Sequence, residues 1–154
     1  MTIHGKTSSG CFIPFKVKKT YLFMFGKTDG WWVKYFTGFT HVCLIEYVSD
    51  EYVIGYEPLL IGCSTIWRTA PDKDEIKYWK DWTILEVTVY PTRKNRLIGP
   101  VFQTCATIVQ YIAGISLGCV LANSLYKKLT TSSAEWLKEK GIQGVKLWEW
   151  HQQP

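Results

Sequence analysis

The sequence predicts an α+β domain in which an antiparallel sheet packs on a central helix that starts at Cys105. Two observations carry this. Residues 39–48 and 83–90 alternate with the period of two expected of half-buried strands. After Gly99 and Pro100 the period becomes helical, with Val101, Cys105, Ile108, Val109 and Ile112 recurring until Gly114 stops the pattern. A length of 154 residues suits one domain with a core of its own.

Taken in order, residues 1–15 hold Gly5, Gly10 and Pro14 among small polar neighbours and are read as an irregular N-terminal arm. The single domain then runs over 16–154. Residues 16–25 are β-rich, 26–30 form a turn, and 31–36 are expected to be a strand. Along 39–48, Phe39, His41, Cys43, Ile45 and Tyr47 fall on one face and Val42, Leu44, Glu46 and Val48 on the other. Ser49, Asp50 and Glu51 break that alternation before residues 52–56 resume it, which is the signature of a hairpin. Pro91 closes the strand at 83–90. Beyond the Cys105 helix, residues 121–129 suit a second helix, and Ser132 or Ser133 caps a third that runs to Lys140 and stops at Gly141. Residues 145–150 are expected to be extended.

A hydrophobic fraction of 47% with 20% charged residues lies in the globular range. Eight Trp, nine Tyr and seven Phe exceed what a small core needs, so an aromatic surface for protein partners is expected. The net charge of +5 is spread along the chain rather than gathered into a stripe, which speaks against nucleic-acid binding. Five cysteines, at positions 11, 43, 63, 105 and 119, show neither CxxC pairs nor metal-ligand spacing and are odd in number. That pattern suits reduced thiols. No cofactor and no metal is expected. Without a secretory signal in the first ten residues, or an unbroken apolar run long enough to span a bilayer, the expected place is cytoplasm or a virion, with no membrane span.

Thiol catalysis needs a nucleophilic cysteine, a histidine beside it and a group that orients the histidine. His4 lies in the arm and His151 in the last four residues, which leaves His41, on a well-formed strand, as the base. Cys105 alone among the cysteines falls in the first turn of a helix, where unsatisfied amides and the helix dipole favour a thiolate. Because it also continues the stripe of Ile108, Val109 and Ile112, a purely structural place in the core is its other reading. The third group depends on register. If the hairpin turn has three residues, Cys43 faces Glu57 and the diagonal from Glu57 reaches His41 on the same face. A two-residue turn would send Glu57 to the opposite face, as an ordinary solvated glutamate before Pro58.

These segments resemble a known family. Phe39-Thr40-His41-Val42, Tyr56-Glu57-Pro58 with Gly62, residues 104–115 from Thr104-Cys105 to Gly114-Ile115, and 125–129 are similar to small bacteriophage-encoded proteins of the circularly permuted papain-like superfamily. In that superfamily the order is histidine, polar residue, cysteine. The resemblance implies a papain-like fold with Cys105 as nucleophile, His41 as base and Glu57 as orienting residue. Its activity would be hydrolysis or transfer at an amide or ester through a thioester, on a peptide-like or acyl substrate. The chain departs from the pattern in having Glu57 where related proteins carry Asp, and Ala106 where Val is usual. Gln103 is a further candidate oxyanion donor. The alternative expectation is a non-catalytic virion or tail-associated protein on a vestigial scaffold, which would use its aromatic surface for assembly.

Overall fold

The run Tyr-Leu-Phe-Met-Phe at 21–25 offers apolar side chains to both faces, which only the middle of a sheet can bury. It becomes the central strand β3 (Lys19–Gly26), buried at every position from Tyr21 onward. The structure is a computed structural model and describes residues 4–6, 12–14, 17–28, 35, 37–49, 51–59, 62–69, 81–90 and 103–148, of which 4–6, 12–14, 59 and 62–69 are described as backbone alone.

On one side of β3 lie β4 (His41–Tyr47), β5 (Tyr52–Leu59) and β6 (Gly62–Thr69), and on the other β7 (Thr83–Val89) and β8 (Ile142–Leu147). The sheet order is β6-β5-β4-β3-β7-β8, and every pairing is antiparallel. Three helices are described: α1 (Cys105–Ala113), α2 (Ala122–Thr131) and α3 (Ala134–Glu139). Their apolar sides, through Ala106, Val109, Leu125, Leu129 and Leu137, cover one face of the sheet and form the main core with Tyr21, Phe23, Phe25, Val42, Leu44 and Val87. On the opposite face Leu22, Met24, Ile45, Val53 and Ile84 make a second buried cluster. The chain is therefore an α+β protein with an antiparallel sheet.

Gly114 stops α1 because the cap needs a left-handed residue, and its φ of 69° costs glycine nothing. Beyond it, the connection to α2 is held by a side chain in the core. Gln110 is 1% exposed; its Nε2 donates to the carbonyls of Ala106 and Cys119, both at 2.7 Å, and its Oε1 accepts the Leu117 N–H at 2.9 Å. A buried amide is tolerated because those bonds replace the water it loses. None of the described helices is long and apolar enough to cross a membrane.

Several boundaries move inward from the sequence reading. The strand expected over 39–48 is β4 (His41–Tyr47) and the one expected over 83–90 is β7 (Thr83–Val89), while the helix starts at Cys105 as expected. Within the N-terminal arm, β1 (His4–Lys6) pairs with β2 (Phe12–Pro14), a ladder too short to leave a periodic signal. Strand β6 was not expected as an element. The strand expected at 31–36 lies outside the described residues apart from Tyr35, which sits in a 3₁₀ turn.

Candidate active site

The geometry starts at the hairpin turn. Ser49 Oγ accepts the backbone N–H groups of Glu51 and Tyr52 at 3.3 and 3.2 Å, and the Val48 N–H reaches the Tyr52 carbonyl at 3.0 Å. This is the three-residue turn, and it fixes the pairs Tyr47↔Val53, Glu46↔Ile54, Ile45↔Gly55 and Leu44↔Tyr56. Continued one step, the register sets Cys43 against Glu57. The ladder ends there for a chemical reason: Val42 and Pro58 would form the next hydrogen-bonded pair, and proline has no N–H to give.

At that end of the sheet Glu57 reaches diagonally to His41, and Oε1 lies 2.5 Å from His41 Nε2. The glutamate side chain spans the diagonal, roughly 7 to 8 Å between backbones. Hydrogen bonding to the Cys105 side chain, and then to Glu57, raises the His41 pKa from 6.5 to about 9 against the opposing effect of burial. The imidazole is thus held protonated at neutral pH. With Nε2 bound by Glu57, Nδ1 is the nitrogen left to face the thiol.

A tryptophan closes the other side of the ring. Gly26 pairs with His41 across β3 and β4, and the β3–β7 register, which ends at Phe25↔Thr83, brings Trp82 to the far side of Gly26. A Cβ at position 26 would come within 2.6 Å of the Trp82 ring. Glycine therefore allows the indole to lie across the strand, where it meets His41 edge to face at 6.2 Å between centroids and 74°.

Cys105 is the first residue of α1. Thr104 caps the helix: its Oγ1 accepts the Thr107 N–H at 3.2 Å, and its own N–H donates to Thr107 Oγ1 at 2.9 Å. The Ile108 N–H closes the first helical bond onto the Thr104 carbonyl at 3.0 Å. Among the described residues, the amides of Cys105 and Ala106 remain without an acceptor, beside the sulfur. The thiol lies 4.0 Å from the carbonyl oxygen of Thr40, the residue before His41. Next to Thr40 a cavity of about 290 Å³ is lined by Thr37, Phe39, Leu121, Asn123 and Ser124 among others, none of them charged.

The structure brings His41, Glu57 and Cys105 together. It leaves Gln103 exposed ahead of the cap. Cys119 is buried in the main core, His4 lies on β1, and His151 is outside the described residues. Sequence reading missed Trp82 and the part played by Gln110. The Trp82 contact depends on a β3–β7 pairing that no local pattern encodes, and the bonds of Gln110 depend on how the chain returns past Leu117 and Cys119. No group of His, Cys, Asp and Glu fit to hold a metal ion is found among the described residues. Comparison with known protein families, with curated proteins and with solved structures finds no match to this chain.

Proposed function

We propose that this chain is a thiol hydrolase or acyltransferase of the permuted papain-like kind, phage-encoded and acting on an amide or ester. The observation that carries the reading is one histidine held between a carboxylate and a helix-start cysteine: His41 bonded to Glu57 through Nε2 and to the Cys105 side chain on its other side. The order histidine, carboxylate, cysteine along the chain is that of the family it resembles.

In this mechanism Cys105 and His41 stand as a thiolate–imidazolium pair, the thiol proton already on the ring, and the thiolate sulfur bonds to the substrate carbonyl carbon. Negative charge moves to the carbonyl oxygen, which the Cys105 amide at the start of α1 stabilises as a donor. Collapse of this adduct breaks the bond to the leaving nitrogen or oxygen, which takes the proton from His41. A water or acceptor nucleophile then gives its proton to the now neutral His41 and attacks the thioester, breaking the carbon–sulfur bond, releasing the acyl group and restoring the thiolate–imidazolium pair. Glu57 keeps the ring oriented throughout and favours its charged form. The uncharged cavity beside Thr40 suits a neutral acyl or side-chain group next to the reacting carbonyl.

The test is an activated ester or peptide anilide panel, with the acyl-enzyme trapped by acid and located by mass spectrometry. Acylation at Cys105 that Cys105→Ala and His41→Ala both abolish supports the reading; no acylation of Cys105 by any member overturns it. A second reading, a non-catalytic virion or tail component, draws on exposed Tyr35, Tyr47, Tyr52 and Tyr111. On that reading, virions assembled with the Cys105→Ala chain are fully infective, and changes at those tyrosines are not tolerated.

A further inference from the structure

The carboxylate that holds His41 is itself nearly half exposed, with 44% of the Glu57 side chain open to solvent. Glutamate has three rotatable torsions, so an exposed carboxylate spends its time in many rotamers unless a second contact fixes it. The strand register supplies a neighbour for that contact. Val48 and Tyr52 form a hydrogen-bonded pair, and continuing that alternation one step beyond the last ladder pair, Leu44↔Tyr56, puts Cys43 opposite Glu57 at a non-hydrogen-bonded position. Such pairs bring opposing side chains closest together, with backbones about 4.5 Å apart. Cys43 also shares the face of His41, two residues further along β4.

We infer that Cys43 is a positioning residue, its thiol donating to the Glu57 carboxylate and so fixing the orientation in which Glu57 holds His41. This rests on the catalytic reading above for its purpose, though not for its geometry. A thiol suits the place. Its body packs against the apolar cluster of Met24, Ile45 and Ile84, while its S–H is a weak donor that a valine or alanine would lack. Burial, and then the Glu57 charge, push the Cys43 thiol far above its ordinary titration range, so it keeps the proton it donates. The groups facing it are Glu57 from β5, Cys105 from α1 and, beyond Glu57, His41 on its own strand.

The experiment is a titration of the His41 ring protons by NMR in the full-length protein. The variants are Cys43→Ala, Cys43→Val and Cys43→Ser, each in the wild-type and Glu57→Gln backgrounds, with the rate of Cys105 alkylation measured alongside. Valine keeps the volume without the donor, which separates positioning from packing. The expected result is a fall in the His41 pKa of at least half a unit in Cys43→Ala and Cys43→Val, a value within 0.2 units of wild type in Cys43→Ser, and no effect of any Cys43 change once Glu57 is glutamine. An unmoved His41 titration in the alanine and valine variants, or a serine variant that behaves like alanine, overturns the inference. The titration reads the ring whether or not the protein turns over substrate. Alkylation of Cys105 indifferent to His41→Ala would sink the catalytic reading alone.

Discussion

Glu57 Oε1 lies 2.5 Å from Nε2 of His41, and the two residues sit on neighbouring strands joined by a three-residue turn. The contact is a consequence of register. Glu57→Gln removes the charge and keeps the shape, so the His41 pKa should fall from about 9 while keeping the larger part of the rise that comes from Cys105, visible as a titration midpoint of the ring protons at lower pH. A midpoint unchanged in the variant would mean that Glu57 does not hold the ring.

The bonds of His41 to Cys105 and, second, to Glu57 together set a pH dependence of stability. His41 binds its proton more tightly when folded, so between about 6.5 and 9 the native state holds more protons than the unfolded chain. The resulting stabilisation is complete below 6.5 and disappears as pH rises through 9. Discounted for the exposure of Glu57, it amounts to roughly 2 kcal/mol. Urea unfolding at pH 6 and pH 9.5 should show a decline of that order in the wild type and a smaller one in Glu57→Gln.

Gly26→Ala places a methyl where the Trp82 ring lies, since the Cβ would approach within 2.6 Å. The indole has to move, at a cost of about 1–3 kcal/mol in stability. Thermal unfolding should report the loss, and the His41 ring protons should lose the ring-current shift that an edge-to-face indole imposes.

Gln110→Leu removes three hydrogen bonds, two of which, to Leu117 and Cys119, tie the segment between α1 and α2 to the core. It leaves the Leu117 N–H and the Cys119 carbonyl buried without partners, for a destabilisation of about 2–4 kcal/mol. Denaturant unfolding measures this directly. Hydrogen exchange at the Leu117 amide should accelerate as well.

How much of this was legible in the sequence follows from the range of each interaction. The sequence narrowed the hairpin at Ser49, Asp50 and Glu51 to two registers because a turn is local, and the structure has the three-residue one that carries Glu57 to the face of His41. The start of α1 at Cys105 and its stop at Gly114 were equally local. The neighbourhood of Trp82 was not, because it needs β7 to pair with β3 across nearly sixty residues of chain. Cys43 was placed on the face of His41 by simple alternation and opposite Glu57 by the three-residue turn, and the observed ladder, which ends at Leu44↔Tyr56, leaves that next position open for a side-chain contact.

The central claim is that His41 activates the sulfur of Cys105. Its most direct test is the rate of Cys105 alkylation by iodoacetamide at pH 6.5, with the labelled peptide identified by mass spectrometry and compared between wild type and His41→Ala. The account predicts that Cys105 reacts first among the cysteines and at least ten times more slowly without His41. Equal rates in the two proteins would contradict it.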